Sequence, residues 1–359
     1  MPAFQGKLGL QFTVHMASQY AAPRIVDLAR RAHDRGFSQI WVNDNLRYRQ
    51  QYVLLAAIAA QVPIQVATGI TVPYFRNPVD LADTLATLSE LTEGREIDVG
   101  IARGALVMVE NQLAVRQPIA MVRETAAMAS ALLRGERVRF GDYPALCGFY
   151  HLLPEASIAL AFPPQAPVCF FAGANGPRML AIAGREMDGV LLGGLFLSFA
   201  RLGRLGALLA PAREAARAAG RPRPLRVIAE LNVSVDRDRE RARDFPRKYA
   251  THAMVHLARL GVTDDDLARL GIDRADIVRL EEAWAAGATV EEAARLVPEA
   301  MVDACFLAGR PEEVAEGLGP LLDAAAAEGV EQVVLAKLGP DYAEAIDVLG
   351  RLVAPRSRA

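Results

Sequence analysis

Residues 66–104 constrain this chain more than any other stretch. They read VATGITVPYFRNP, then VDLADTLATLSELTEG, then REIDVGIARG. A short apolar run ends at Gly69-Ile70. A turn holding Pro73 and Pro78 follows, then an amphipathic stretch of helical period, then a second apolar run ending in a glycine-flanked loop. Asn77 is a plausible N-cap, and Pro78 suits the first helical position, where a missing N–H costs nothing. Two apolar strands joined by a helix make a βαβ unit, and such strands run parallel in a sheet buried on both faces. The special residues cluster after the strands. In parallel α/β folds, ligands bind at those carboxyl-end loops.

The same alternation continues along the chain. Apolar strands are expected at 8–14, 39–42, 65–70, 97–101, 168–172, 189–192, 225–235 and 331–337. Helical periodicity marks 25–35, 52–60, 79–91, 119–133, 177–183, 199–219, 310–327 and 342–352. Eight strands separated by helices argue for an α/β (β/α)8 TIM barrel rather than an open doubly wound sheet. The 359 residues suit one such domain, spanning 1–359. Residues 135–166, irregular and rich in Pro and aromatics, read as an insertion after strand four. Residues 238–297 read as a helical excursion between strands seven and eight. It carries expected helices at 239–260 and 276–296, and two Asp-rich turns within 261–275.

Composition narrows the function. The net charge of −2 gives no electrostatic case for nucleic acid or a membrane surface, so neither partner is expected. No run reaches the ~18 apolar residues of a membrane helix. The opening MPAFQGKLGLQF lacks a secretory pattern, so a cytoplasmic protein is expected. Three scattered cysteines make no disulfide framework, and Cys169 and Cys305 sit in apolar runs as expected core residues. Lysine occurs only at 7, 248 and 337. No Gly-x-Ser-x-Gly, P-loop or Gly-x-Gly-x-x-Gly motif appears, which counts against hydrolase, NTPase and Rossmann readings.

Several residues could carry chemistry. Gly69 at a strand end permits close ligand approach or a simple β-bulge. Asp44 and Asn45, ending WVNDN, suit either a helix cap or the polar rim of a pocket. Arg103 can hold a carboxylate or stabilise an oxyanion, or it is a solvated loop residue; an arginine does not serve as a general acid near neutrality. The run AGANGPRM, containing Gly173, Ala174, Asn175 and Gly176, places bare N–H groups at a helix start, and Gly193-Gly194 follow the next strand. Phosphate sites of this fold straddle two such late loops, though a helix cap plus tight turns reads the same residues. His15, just past strand one, is the best placed histidine for proton transfer, or a rim residue contacting substrate. His252 and His256 stand i, i+4 without a third ligand type nearby, so no metal is expected. Glu230 and Asn232 lie inside strand seven, where a carboxylate needs a partner such as an arginine.

The segments 66–104, 168–194 and 301–336 resemble the bacterial luciferase-like family. The likeness is to its branch of deazaflavin-dependent reductases related to methylenetetrahydromethanopterin reductase, and it runs from about residue 7 to 353. It implies a cis peptide at Gly69-Ile70 forming a bulge behind the cofactor's central ring. It places Asp44 near the polar edge of the ring, with Thr68, Gly69, Ile70 and Gly104 also in the cofactor-binding set. Gly173, Ala174, Asn175, Gly176, Gly193 and Gly194 match the segments that cradle the cofactor phosphate. Asn45 stands where many relatives carry histidine, and Arg103 where some carry a carboxylate acid.

The resemblance implies a coenzyme F420-dependent oxidoreductase passing a hydride to or from a small organic substrate, with His15, Asn45 and Arg103 on the substrate side. An FMN-dependent monooxygenase, fed by a partner flavin reductase, and a non-catalytic flavin-binding barrel are the alternatives. A homodimer is expected, because relatives pair through early helices and 52–60 and 79–91 are more apolar than water-facing helices require.

Overall fold

The computed structural model describes residues 4–13, 19–46, 48–104 and 113–353. Eight parallel strands close on themselves: β1 Lys7–Phe12, β2 Gln39–Val42, β3 Gln65–Thr71, β4 Ile97–Ile101, β5 Val168–Gly173, β6 Gly189–Leu192, β7 Arg226–Val235 and β8 Gln332–Ala336. Each pairs with the next, and β8 pairs back onto β1 with Gly9 opposite Val334. This is the expected TIM barrel. A further short strand, Leu307–Gly309, pairs in parallel alongside the end of β7, Val233–Val235. His15 lies outside the described residues, as does Val14 of the first expected strand. No helix among the described residues is long and apolar enough to cross a membrane.

Alternate residues of each strand face the barrel axis, so the interior is built in layers. The middle layer is apolar, with Trp41, Ala67, Phe171, Leu191, Ile228 and Val334 packed together. At the amino ends of the strands the layer is polar and buried. Asp98 Oδ2 accepts from Gln39 Nε2 at 2.9 Å and Gln65 Nε2 at 3.3 Å, and Gln39 Oε1 accepts from the Trp41 indole at 2.9 Å. Arg226 reaches Glu331 at 2.7 Å, Glu96 at 3.0 Å and Asp98 at 3.6 Å. Burial nevertheless dominates at Asp98 and raises its pKa to about 7. Cys169 packs against the apolar middle layer as expected, and its Sγ turns to the polar layer, 3.3 Å from Glu96 Oε2. Cys305 is fully buried as expected.

The helical layer departs from the sequence reading at breaks. The stretch 199–219 is two helices, Phe196–Arg201 and Leu205–Ala218, parted at Gly203 with φ +67°. The stretch 239–260 divides into Arg239–Asp244 and Arg247–Ala258, where Pro246 removes a donor from the ladder. The stretch 276–296 divides into Arg274–Ala285 and Val290–Ala294 around Gly287 at φ +81°. The two Asp-rich turns expected in 261–275 are corrected: Asp264–Arg269 is a helix with a Thr263/Asp266 capping box, and Asp273 caps the next helix. The 135–166 insertion holds a helix, Pro144–Tyr150, and a two-stranded ribbon of Val138–Arg139 with Ser157–Ile158. Tyr150 Oη lies 2.5 and 2.6 Å from the carbonyls of Pro73 and Arg76, which pins the insertion onto the loop after β3.

Candidate active site

The carboxyl-end mouth of the barrel is organised around Gly69 and Ile70. The peptide joining them is cis, at the step the resemblance implies. The Gly69 carbonyl accepts from the side-chain amides of Gln11, at 2.9 Å, and Asn43. A Cβ on Gly69 would stand 2.8 Å from Gln11 Nε2 and 3.2 Å from the Trp41 ring, so a larger residue would push the Gln11 amide off the Gly69 carbonyl and press on Trp41. The Ile70 side chain reaches across to β4 and β5. A Cβ at Gly173 would stand 3.0 Å from its Cγ2, and one at Gly100 3.2 Å. Glycines on two neighbouring strands thus make room for one apolar wall at the mouth.

Asp44 is neither a helix cap nor an open pocket rim. The helix Gln51–Ala59 is capped by Gln50 instead. Asp44 accepts from Arg76 Nη1 at 3.0 Å and Nη2 at 3.1 Å, from the Val72 amide at 3.1 Å and from Thr71 Oγ1 at 3.3 Å. Arg76 in turn lies over the Tyr52 ring, 4.6 Å from its centroid. The carboxylate therefore clamps the loop after β3. Thr68 is buried between strands and donates to the Gly100 carbonyl at 2.9 Å. Asn45 keeps a buried Oδ1 with no hydrogen-bond partner. Arg103 is exposed at the end of β4, before Gly104 at φ +84°. Its positive charge acts on Tyr74, whose pKa burial raises to about 12, and on His256 of the excursion, whose pKa burial and that charge lower. His252 stacks on Trp284 at 4.5 Å.

The two late loops meet. Asn175 lies against Gly193, where an added Cβ would be 3.6 Å from Asn175 Nδ2, and the Asn175 Oδ1 is buried without a partner. Gly176 opens the helix Pro177–Glu186 with no side-chain cap and no atom within 4 Å of an added Cβ. Gly194 is held by Asn232, whose Nδ2 donates to its carbonyl at 3.0 Å. The structure thus brings Asn175 and Gly193 together beside the uncapped helix start at Gly176, with Gly173 paired in β5 and the Ala174 N–H bonded to the Leu191 carbonyl at 3.2 Å.

Glu230 has the basic partner a strand carboxylate needs, and it is a lysine. Lys337 Nζ lies 2.7 Å from Glu230 Oε1 and 2.8 Å from Asn232 Oδ1. Sequence reasoning passed over Gln11, Asn43 and Lys337. The readable signal was polar residues at inward positions of strand ends, and a rare lysine directly after the last strand.

The family model described as luciferase-like monooxygenase matches residues 8–328. The chain belongs to that family. This luciferase-like chain is 29% identical over 332 residues to the 5,10-methylenetetrahydromethanopterin reductase of Methanolobus tindarius, covering 91% of the chain and 94% of the relative. It is 30% identical over 264 residues to the F420-dependent glucose-6-phosphate dehydrogenase of Nakamurella multipartita, covering 69% of the chain and 74% of the relative. Its fold matches the coenzyme F420-dependent tetrahydromethanopterin reductase from Methanopyrus kandleri with a TM-score of 0.76 and 25% identity, over 98% of this chain and 99% of the other.

Proposed function

We propose that this luciferase-like chain is a coenzyme F420-dependent oxidoreductase acting on a small organic substrate. The observation that carries the reading is the meeting of the Gly173–Gly176 and Gly193-Gly194 loops beside the Gly69-Ile70 wall. The chemistry of the mouth fits a deazaflavin with a phosphate-bearing tail. Two buried amide oxygens, on Asn45 and Asn175, lack partners and would accept from a donor group of a ligand, while Gly176 at its helix start leaves room for an anion. The names of the relatives support F420 over FMN.

The cofactor supplies the hydride chemistry when bound. The residues of the chain bind and orient. Ile70 offers an apolar face, and Gln11 and Asn43 fix the carbonyl of Gly69 behind it. The N–H groups at Gly176, Arg178 and Gly193 would hold phosphate oxygens. Arg103, exposed at the rim, would meet an anionic or carbonyl oxygen of the substrate. Fluorescence titration of the purified protein with F420 and with FMN tests the reading. Saturable F420 binding tighter than FMN is expected. Tighter FMN binding would move the chain to the monooxygenase reading, with its need for a flavin reductase.

A further inference from the structure

The Glu230–Lys337 pair sits outside every role given above, yet it is largely buried and joins β7 to the end of β8. Following its bonds outward gives an unbroken polar chain. Gln11 Nε2 donates both to the Gly69 carbonyl at 2.9 Å and to Glu230 Oε2 at 3.3 Å. Glu230 Oε1 accepts from Lys337 Nζ at 2.7 Å, and Lys337 also donates to Asn232 Oδ1 at 2.8 Å. Asn232 Nδ2 then donates to the carbonyls of Gly194 at 3.0 Å and Cys305 at 3.1 Å. The chain begins at the wall near the end of β3 and ends in the loop after β6.

Counting donors shows how completely it is specified. Both hydrogens of the Gln11 amide and both of the Asn232 amide are used, and each Glu230 oxygen accepts one bond. An ammonium has three N–H bonds; two of those on Lys337 go to Glu230 and Asn232. Lys337 sits at φ +59°, a conformation uncommon for a long side chain, and Nζ lies 5.9 Å from the Tyr249 ring centroid. The excursion therefore covers the same ammonium that the barrel interior holds. A lysine needed only to neutralise Glu230 would not also have to bridge to Asn232 and the second loop.

We propose that Gln11, Glu230, Lys337 and Asn232 form a positioning relay that fixes the Gly69-Ile70 wall and the Gly193-Gly194 loop relative to each other, with Lys337 as its pivot. The proposed consequence for cofactor affinity rests on the F420 reading; the mechanical coupling does not. Lys337→Met keeps the length of the side chain and removes the link. Glu230→Gln/Lys337→Met also removes the stranded carboxylate charge, which separates a lost link from a buried unpaired charge. Lys337→Arg retains a cation.

Two measurements decide the matter. Hydrogen exchange on the full-length protein without ligand should become severalfold faster in Lys337→Met and in the double variant, at both 66–72 and 192–196. Lys337→Arg should fall between them and the wild type. F420 titration should show about a tenfold loss of affinity in Lys337→Met, the scale of one charge-assisted hydrogen bond. The double variant should recover its thermal midpoint while affinity stays low. Exchange altered only around residue 337, or recovery of both midpoint and affinity in the double variant, would overturn the relay. A wild type that fails to bind F420 would sink the cofactor reading alone, and the exchange pattern would still decide the coupling.

Discussion

Asp44→Ala should unfold this protein at a clearly lower temperature without primarily affecting the cofactor. The carboxylate is 4% exposed and the Arg76 guanidinium 10%, with both guanidinium nitrogens on both carboxylate oxygens. Removing one partner of such a pair strands a buried charge and costs about 3–5 kcal/mol. An unfolding entropy of ~2.1 cal/mol/K per residue, over the full chain, converts that to a fall of roughly 4–7 °C in thermal midpoint. The loop after β3 also loses its grip on the Val72 amide and Thr71 hydroxyl. Asp44→Asn/Arg76→Met keeps an acceptor for Val72 and an apolar chain over Tyr52. It should therefore recover most of the loss, with a coupling energy of at least ~2 kcal/mol. The assay is thermal and urea unfolding of the two single variants and the double. Additive losses, or an Asp44→Ala midpoint within a degree or two of wild type, would refute the clamp. Lost cofactor affinity at unchanged stability would return Asp44 to direct contact with the cofactor.

Gly176→Asp should weaken F420 binding by more than tenfold with little change in thermal midpoint, because an added Cβ meets nothing within 4 Å and the carboxylate repels an anion; equal loss of both would favour a structural turn. Asp98 carries a pKa raised to about 7 by burial, so the folded state binds its proton more tightly than the unfolded state does. Its contribution to stability is fully present below about pH 4 and is lost as pH rises through about 7. Asp98→Asn should flatten that fall in unfolding midpoints measured from pH 4.5 to 8, and parallel curves would contradict the assignment. Val53 is 66% exposed, next in the chain to Tyr52, which lines a groove with Ala56, Asp83, Thr84, Thr87, Leu88 and Leu91. The wild type should run as a dimer in light scattering and Val53→Asp as a monomer; a monomeric wild type rules out that interface.

The strands were legible because they obey a simple rule. The reading 39–42, 97–101 and 189–192 coincides with β2, β4 and β6, where short apolar runs stand between glycine and polar punctuation. Asn77 caps its helix as its position before Pro78 implies, accepting from the Val79 amide. Helix breaks were harder, since Gly203 and Gly287 lie inside otherwise continuous periodicity. The short helix Glu299–Cys305 is too brief to show a period of its own. In the site, glycine-rich loops announce themselves by composition, whereas Lys337, Gln11 and Asn232 meet only after the barrel closes β1, β7 and β8 against one another. No local pattern encodes that closure. Asp44 was ambiguous because a carboxylate after a strand suits both a ligand contact and a clamp, and the clamp is the contact the structure shows. The choice rests on Arg76, thirty-two residues further along.

The apolar middle layer of the barrel acts as a septum. Trp41, Phe171, Leu191, Ile228 and Val334 fill the axis between two polar ends, so the barrel is a cup with a floor and not a conduit. Whatever enters the mouth must leave through it. A small molecule seated in the mouth is cut off from the other end of the barrel by this packed layer. Exchange with solvent then passes the rim, where Tyr249 of the excursion stands 5.9 Å from Lys337 Nζ. A slower exit there would lengthen the stay of every occupant, and the order in which two ligands come and go would follow from which of them lies deeper in the cup.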